Sequence, residues 1–261
     1  MASDQTILFH STIFGPIHSR RLGVSLGINL MPSDGKICSF DCLYCEAGYN
    51  SQGAGKSGLP TVEKVSKDLE AKLKAMRDSG EKLDVITFSG NGEPTLHPRF
   101  EEIIDNVIKL RDRYYPEAKI SVLSNSTRIF DGGVAAALRN VDNNILKLDS
   151  AVESTMRVLD RPNDPAFTVE RVVEALRQFD GQAIIQTMLL RGTHDGQRID
   201  NTTDQELDAL IAAYKKINPR EVMIYSLDRS TPEEQLEKVE HEEMERIAER
   251  ISAAGIKVQP F

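Results

Sequence analysis

Tryptophan is absent from the 261 residues, and cysteine occurs only three times. The chain also contains no apolar run of about 18 residues, the length that a membrane-spanning helix requires, so no such helix is expected. Its first residues lack the basic start and apolar stretch of an export signal, and an odd number of cysteines argues against a disulfide framework. These absences favour a location in the reducing cytoplasm, where the thiols are free to bind a metal or another partner.

Positive charge is also scarce. The chain has 32 lysines and arginines against 40 aspartates and glutamates, which gives a formal net charge of -8 at pH 7. A broad basic surface for nucleic acid or for an anionic membrane is therefore not expected. Only a local basic patch would admit a nucleic-acid substrate.

Hydrophobic residues make up 40% of the chain, which is enough for a sizeable core. The predicted strands and helices alternate, and this order favours a parallel sheet with outer helices. About six such units fit a single domain over residues 1–261 with an α/β fold, a partial (β/α)6-type TIM barrel. A doubly wound open sheet is the alternative.

The apolar periodicity sets the expected bounds of these elements. Strands are expected at 24–30, 84–89, 119–124, 145–149, 183–189 and 222–227, with short flanking strands at 6–9 and 256–259. Helices are expected at 61–78, 98–114, 131–139, 167–179, 203–217 and 232–254, with shorter helical pieces at 151–158.

Side chains alternate between the two faces of a strand, which predicts the residues that point into the barrel. Leu146 and Leu148 share one face and should pack under the helices, so Lys147 and Asp149 should point inward. The same reasoning places further side chains inside: Thr87, Ser121, Asn125, Gln186, Met188 and Tyr225. This interior is too polar for a packed core, and it indicates a lined cavity near the C-terminal ends of the strands.

All three cysteines fall within eight positions, in the stretch Cys38-Ser-Phe-Asp-Cys42-Leu-Tyr-Cys45. A structural zinc ion normally takes four protein ligands, and no histidine stands in local spacing to complete the set, although His18 could approach in space. An iron–sulfur cluster with three cysteine ligands leaves one iron open to a substrate or cofactor. A zinc-stabilised or redox-sensing binding protein therefore stays the alternative to an iron–sulfur enzyme.

The Cys-x3-Cys-x2-Cys spacing, with Tyr44 before the last cysteine, resembles the signature of the radical S-adenosylmethionine (SAM) superfamily. The resemblance implies a [4Fe–4S] cluster on Cys38, Cys42 and Cys45, with SAM on the open iron. It also implies reductive cleavage of SAM to methionine and a 5′-deoxyadenosyl radical, which abstracts hydrogen from a substrate. A reductant such as flavodoxin or ferredoxin is the implied partner.

Later segments match the superfamily in the same order. Ser89-Gly-Asn-Gly-Glu-Pro94 resembles its Gly-Gly-Glu-Pro motif, with Asn91 in place of a glycine, and Ser124-Asn-Ser resembles a Thr-Asn-Gly at the next strand end. The resemblance implies a set of cofactor-binding residues: Tyr44, Gly92, Glu93, Asn125, Asp149, Gln186 and Met188.

Ser19-Arg-Arg-Leu-Gly and Gly27-Ile-Asn-Leu are similar to the branch that contains the wyosine tRNA-base synthases. Those synthases carry further cysteines for a second cluster, and this chain has none outside the three-cysteine stretch. It also lacks the basic charge expected of a tRNA binder. We therefore expect this chain to share with those synthases only the core that cleaves SAM, and not the wyosine reaction.

Several polar residues are candidates for binding the substrate. Arg20 and Arg21 are suited to a carboxylate or a phosphate, because a guanidinium group fits both anions. Arg161 and Asn163, in an Asp-Arg-Pro-Asn turn, are candidates for reaching the barrel mouth.

Tyr225 and Asp228 lie at the end of an inner strand, where a substrate would lie. Lys147 is suited either to a Schiff base or to pairing with Asp149. The substrates that remain open are a small molecule, a nucleobase and a peptide. If the substrate is instead a glycyl-radical enzyme, the chain is an activating enzyme.

Overall fold

The computed structural model describes residues 6–19, 21–229 and 231–261. The strands, in chain order, are β1 (Ile13–Ser19), β2 (Gly23–Ile28), β3 (Val85–Phe88), β4 (Lys119–Ser124), β5 (Asn143–Lys147), β6 (Ile184–Met188), β7 (Leu190–His194), β8 (Gln197–Asp200), β9 (Glu221–Tyr225), β10 (Leu236–Lys238) and β11 (Val258–Pro260). The helices are α1 (Val62–Asp78), α2 (Phe100–Tyr114), α3 (Gly132–Arg139), α4 (Glu153–Leu159), α5 (Val169–Leu176), α6 (Asp204–Ile217) and α7 (His241–Ala253).

Eight strands form the main sheet in the order β1-β2-β3-β4-β5-β6-β9-β11. All neighbours from β2 to β11 are parallel, and β1 is antiparallel to β2. The order follows the chain without reversal, whereas a doubly wound sheet reverses direction at a switch point. The predicted partial barrel is therefore confirmed and the doubly wound alternative is wrong.

The main core lies between the sheet and the helices. Helix α1 contributes Val65, Leu69 and Leu73, which recur at helical spacing on its buried face. These residues belong to the same buried cluster as Ile86 and Phe88 of β3. Burial of such side chains contributes roughly 1.5–3 kcal/mol each, so this layer fixes the sheet on which the site is built.

A small apolar cluster lies inside the barrel. Ile145, Ile184 and Met223 form a separate buried cluster inside the sheet, joined by Leu123 and the last residue, Phe261. Leu123 and Phe261 of this plug also line the cavity that opens beside Tyr44 and Cys45. The predicted alternation of side chains is confirmed on β5, where Leu146 and Leu148 lie in the outer core.

Two predicted elements at the start and end of the chain are wrong. Residues 6–9 form no strand, because their backbone donors are used elsewhere: Ile7 N donates to Glu46 O at 2.8 Å, and Phe9 N donates to Asn91 Oδ1 at 2.8 Å. The predicted helix at 232–254 starts only at His241, because part of the segment before it is strand β10.

Strand β10 belongs to a second, three-stranded sheet that the sequence did not predict. Its order is β10-β7-β8, and all its neighbours are antiparallel. Strands β7 and β8 form a hairpin directly after β6, so this sheet stands beside the mouth of the barrel. Tertiary pairing of backbone groups has overridden the helical propensity of the acidic segment.

Asp142 connects three elements, and its loss should destabilise the fold. Its Oδ2 accepts from Ile120 N of β4 and from Arg111 Nη1 of α2, each at 2.9 Å. Burial alone would raise the pKa of Asp142, but these two donors oppose it, and the pKa lies below its usual value. Because the carboxylate is partly exposed, we expect Asp142→Asn to cost about 1–2 kcal/mol at pH 7.

The pH dependence gives this prediction its sign. A lowered pKa in the folded state contributes stability above the unfolded value, near pH 4, and that stability is lost as the pH falls through the folded pKa. Urea unfolding should therefore show a gap between wild type and variant at pH 7 that narrows in acid. Asp112→Asn is the matched control, because Asp112 also contacts Arg111 but is well exposed. Equal losses in both variants would contradict the assignment.

Candidate functional site

The loop that carries Cys38, Cys42 and Cys45, called the cysteine loop below, is held on two sides by backbone hydrogen bonds. On one side Ile37 N donates to Asn91 O at 3.1 Å, and Glu93 N donates to Ile37 O at 3.0 Å. On the other side Leu43 N donates to Leu159 O at 3.0 Å. The loop therefore lies between the turn that follows β3 and the segment that ends α4.

All three cysteines are free thiols, with Cys42 buried and Cys38 and Cys45 partly buried. Cys38 Sγ lies 3.5 Å from Asn125 Nδ2, and Cys42 Sγ lies 3.4 Å from Lys147 Nζ. Burial raises the pKa of the Cys38 thiol to about 11, and the charge of Glu93 adds to this effect. Burial also raises the pKa of Cys42 well above its usual value. These thiols would become metal ligands when a bound metal displaces their protons, which are released to solvent.

The donor set fits a cluster better than a single ion. In the described ranges, no group of three or more His, Cys, Asp and Glu side chains is close enough to hold one metal ion. In a four-iron cluster each thiolate binds a different iron, so three cysteines on one loop do not have to meet at a point. Four histidines bind elsewhere: His10 to Ser33 O, His97 to Pro60 O, His194 to Glu233 and His241 to Glu245.

The turn after β3 requires glycine where it meets the cysteine loop. Gly92 has a φ of 136°, and an added Cβ would lie 1.8 Å from Ile37 O. Only a residue without Cβ allows this approach of the two backbones. Its neighbour Asn91 is fully buried; its Nδ2 donates to Pro32 O at 2.8 Å, and its Oδ1 accepts from Phe9 N. Asn91 therefore ties this turn to the first described segment of the chain.

Glu93 is 2% exposed and connects two neighbouring strand ends. Its Oε2 accepts from Asn125 N at 2.6 Å, and its Oε1 accepts from Thr95 N at 3.1 Å. Burial raises the pKa of Glu93, although these donors oppose the shift. Asn125 Nδ2 also donates to Ser39 Oγ at 2.9 Å. The structure thus brings Gly92, Glu93 and Asn125 together around Cys38.

A second group of polar side chains surrounds Cys42. Lys147 Nζ contacts Tyr44 Oη, and it lies 3.0 Å from Asp149 Oδ2 and 3.5 Å from Asp160 Oδ1. Burial alone would lower the pKa of Lys147, but Asp149, Cys42 and Asp160 raise it well above its usual value. The amine is therefore charged, which fits the predicted pairing with Asp149 and not a Schiff base, because a protonated amine is not a nucleophile.

Asp160 is the buried site residue that sequence reasoning missed. Burial raises its pKa, and the charge of Asp149 raises it further. Its neighbours Arg161 and Asn163, the candidates for reaching the barrel mouth, hold the cysteine loop: Asn163 Nδ2 donates to Cys38 O at 3.1 Å, and Arg161 pairs with Asp41 at 3.4 Å. The Asp-Arg-Pro-Asn turn is the feature of the sequence from which the position of Asp160 could have been predicted.

A cavity of about 420 Å³ opens beside the cysteine loop, between the two edges of the main sheet. Its walls include Tyr44, Cys45, Thr87, Ser89, Met188 and Tyr225. Met188 N donates to Asp149 Oδ1 at 2.8 Å, and a hydrogen bond joins Gln186 to the Tyr225 side chain. The predicted inward residues of β6 and β9 therefore meet the cysteine loop at one cavity.

The predicted substrate residues fall at different places. Arg21 lies in the cavity wall, with its guanidinium carbon 4.7 Å from the centre of the Tyr225 ring. Asp228 also lies in the wall, where it pairs with Lys238 at 3.2 Å. Arg20 lies outside the described residues.

A partial barrel that carries three cysteines on one loop, beside a buried Gly-Glu turn, is typical of iron–sulfur enzymes that bind a small cofactor. The family model of the Radical SAM superfamily matches residues 33–200, more than half of the chain. The chain belongs to this superfamily. It is accordingly an enzyme of the radical SAM class, with a [4Fe–4S] cluster and SAM as its cofactors.

Curated relatives extend the match over most of the chain. A UPF0026 protein of Helicobacter pylori (strain ATCC 700392 / 26695) is 29% identical over 219 residues, which cover 83% of this chain and 66% of the relative. The aligned part makes up only 32% of another relative, from Brachyspira hyodysenteriae. This chain thus spans about a third to two thirds of the length of these relatives.

Solved structures share the fold at low sequence identity. A radical SAM methyltransferase from Sphaerobacter thermophilus has a TM-score of 0.66 and 15% identity, over 91% of this chain and 65% of its own. TYW1 with a lysine-pyruvate adduct bound has a TM-score of 0.59 and 17% identity, over 89% of this chain and 75% of its own. In the described residues, no helix is long and apolar enough to cross a membrane.

Proposed function

We propose that this chain, as one domain, cleaves SAM reductively and uses the resulting 5′-deoxyadenosyl radical to abstract hydrogen from a substrate in the barrel cavity. The observation that carries the proposal is the backbone pairing of Ile37 with Gly92. It sets the first cysteine directly beside the Gly92–Glu93 turn, so that a cluster on one and a cofactor on the other would touch. When bound, the cluster supplies one electron to the sulfonium of SAM.

Different residues of the chain are proposed to bind the cluster and SAM. Cys38, Cys42 and Cys45 are the proposed cluster ligands. Gly92 and Glu93 are the proposed partners of the SAM amino group, because this turn offers a backbone carbonyl and a carboxylate beside the cysteine loop. Further contacts to SAM are assigned to Asn125, Asp149, Gln186 and Met188, which lie around the same loop and cavity.

Two side chains control the surroundings of the cluster site. Tyr44 is buried and shields the loop from water on the cavity side. Lys147 holds a positive charge 3.4 Å from Cys42 Sγ. A fixed cation at this distance favours negative charge on the sulfur in a site of low dielectric. The lysine charge favours a cluster that accepts an electron from a flavodoxin or a ferredoxin, the proposed donors.

A small molecule is the substrate class that the cavity supports best. Its volume of about 420 Å³ lies in the range of small-molecule sites. The wyosine reaction is not proposed, because this chain has no further cysteines for a second cluster.

The assay uses the chain reconstituted anaerobically with iron and sulfide, and then given dithionite and SAM. We expect a brown protein with charge-transfer absorbance, together with methionine and 5′-deoxyadenosine in equal amounts. The same chain loaded with zinc is the control, and it should form neither product. A colourless protein that retains zinc and releases no deoxyadenosine when supplied with iron would support the binding-protein alternative and overturn the proposal.

A further inference from the structure

Among the described residues of the cavity wall, Arg21 is the arginine without an acidic partner. Arg21 makes no hydrogen bond or ion pair within 6–19, 21–229 and 231–261; its recorded contact is the stacking of its guanidinium over the Tyr225 ring. A guanidinium group carries five N–H donors, and a buried or half-buried one without acceptors is costly. The donors of Arg21 are therefore available to a ligand in the cavity.

The other charged groups of the cavity largely cancel one another. Arg229 pairs with Glu46 at 2.8 Å, and Asp228 pairs with Lys238. The backbone of Phe261, which also lines the cavity, is fixed by a bond from its N–H to Ile224 O, and no ion pair joins this residue to Arg21. Arg21 therefore leaves a local excess of positive charge in a chain whose net charge is -8. Such a site attracts an anion.

The ring beneath Arg21 is suited to orient it. Burial raises the pKa of Tyr225 to about 12, and the charge of Asp149 adds to this shift, so the phenol stays neutral at pH 7. Stacking on a neutral ring fixes the plane of a guanidinium and leaves its edge donors free for two parallel bonds to an oxyanion.

The position of Arg21 separates it from the proposed site of the SAM amino group. The cavity that Arg21 lines is also lined by Tyr44, Cys45 and Met188, but not by Gly92 or Glu93. An anion on Arg21 would thus share a cavity with the last cysteine while leaving the Gly92–Glu93 turn unoccupied.

We propose that Arg21 is the anion-binding residue of the substrate site, and that the substrate carries a carboxylate or a phosphate group. That the bound anion is a substrate rests on the proposed function, whereas the presence of an anion site at Arg21 does not. Two sources offer the same oxyanion chemistry, the substrate and the carboxylate of SAM, and the proposal assigns Arg21 to the substrate.

The test measures anion binding to the reconstituted chain by calorimetry at low ionic strength, with inorganic phosphate and pyruvate as probes. We expect Arg21→Gln to weaken binding of at least one probe by about tenfold or more, the loss of about 1.4 kcal/mol. Arg77→Gln is the matched control, because Arg77 stacks on Tyr114 at 4.9 Å but lies outside the cavity. It should bind the probes as the wild type does.

The affinity for SAM, measured in the same preparations, separates the two sources of anion. It should be equal in wild type and Arg21→Gln. If Arg21→Gln weakens SAM but not the probes, Arg21 serves the SAM carboxylate and the proposal is overturned. The proposal is also overturned if the wild type binds neither probe, or if Arg21→Gln binds both probes as tightly as Arg77→Gln does. Deoxyadenosine formation is assayed separately, so a chain that binds the probes through Arg21 without cleaving SAM overturns only the proposed function.

Discussion

Cys42→Ala should lose the iron–sulfur cluster and form 5′-deoxyadenosine only at the level of the chain without iron. Cys42 is the most buried of the three thiols, and its sulfur lies against the charged amine of Lys147. Alanine removes one of three proposed ligands, the sulfur that lies against this amine. A cluster held by only two thiolates would be lost on gel filtration.

The measurement is the iron and sulfide content after anaerobic gel filtration, together with SAM cleavage. Ser39→Ala is the matched control, because Ser39 lies in the same loop and bonds to Asn125 without being a ligand. The control should retain about four iron atoms per chain, as expected for a [4Fe–4S] centre. A Cys42→Ala protein that still holds its cluster and cleaves SAM would remove Cys42 from the ligand set.

Lys147→Met should destabilise the chain by about 3–5 kcal/mol, the range found when one partner of a buried ion pair is removed. The side chain of Lys147 is 17% exposed, and those of Asp149 and Asp160 are almost completely buried. Methionine fills much of the same volume but leaves the two carboxyl groups without their cation. The free energy of unfolding in urea, measured anaerobically on the chain without iron, gives this loss directly.

Two further variants test the electrostatic origin of that loss. Adding Asp160→Asn to Lys147→Met should recover part of the stability, because one acidic group fewer is then buried without a partner. Lys119→Met removes a lysine that pairs with Asp142 at 3.6 Å but is well exposed, and it should cost less than about 1 kcal/mol. If the double variant is no more stable than Lys147→Met, packing and not charge explains the loss.

Local patterns in the sequence were enough to predict much of the site. The spacing of the cysteines and the alternation along β5 are properties of short segments, and the predicted inward direction of Lys147 and Asp149 follows from strand geometry alone. Asp149 lies just beyond the end of β5, yet it keeps its direction because Leu148 N still donates to Gln186 O at 3.1 Å.

The remaining features depend on contacts between distant segments. Asp160 enters the site because its turn packs on the cysteine loop, 118 residues away from Cys42 along the chain. Strand β10 exists because its backbone pairs with β7, and residues 6–9 form no strand because they bond to Asn91 and Glu46. No local periodicity encodes such partners, so sequence reasoning could not find them.

The position of Phe261 has a practical consequence for handling the protein. This last residue packs in the plug of the barrel and lines the cavity, so its side chain belongs to the wall of the proposed substrate site. Any residues joined to the chain after Phe261, such as those of an affinity tag, would start at the cavity, and a tag rich in histidine would place competing iron ligands near the cysteine loop. Cleavable tags, or tags at other positions, are therefore preferable for cluster and anion measurements.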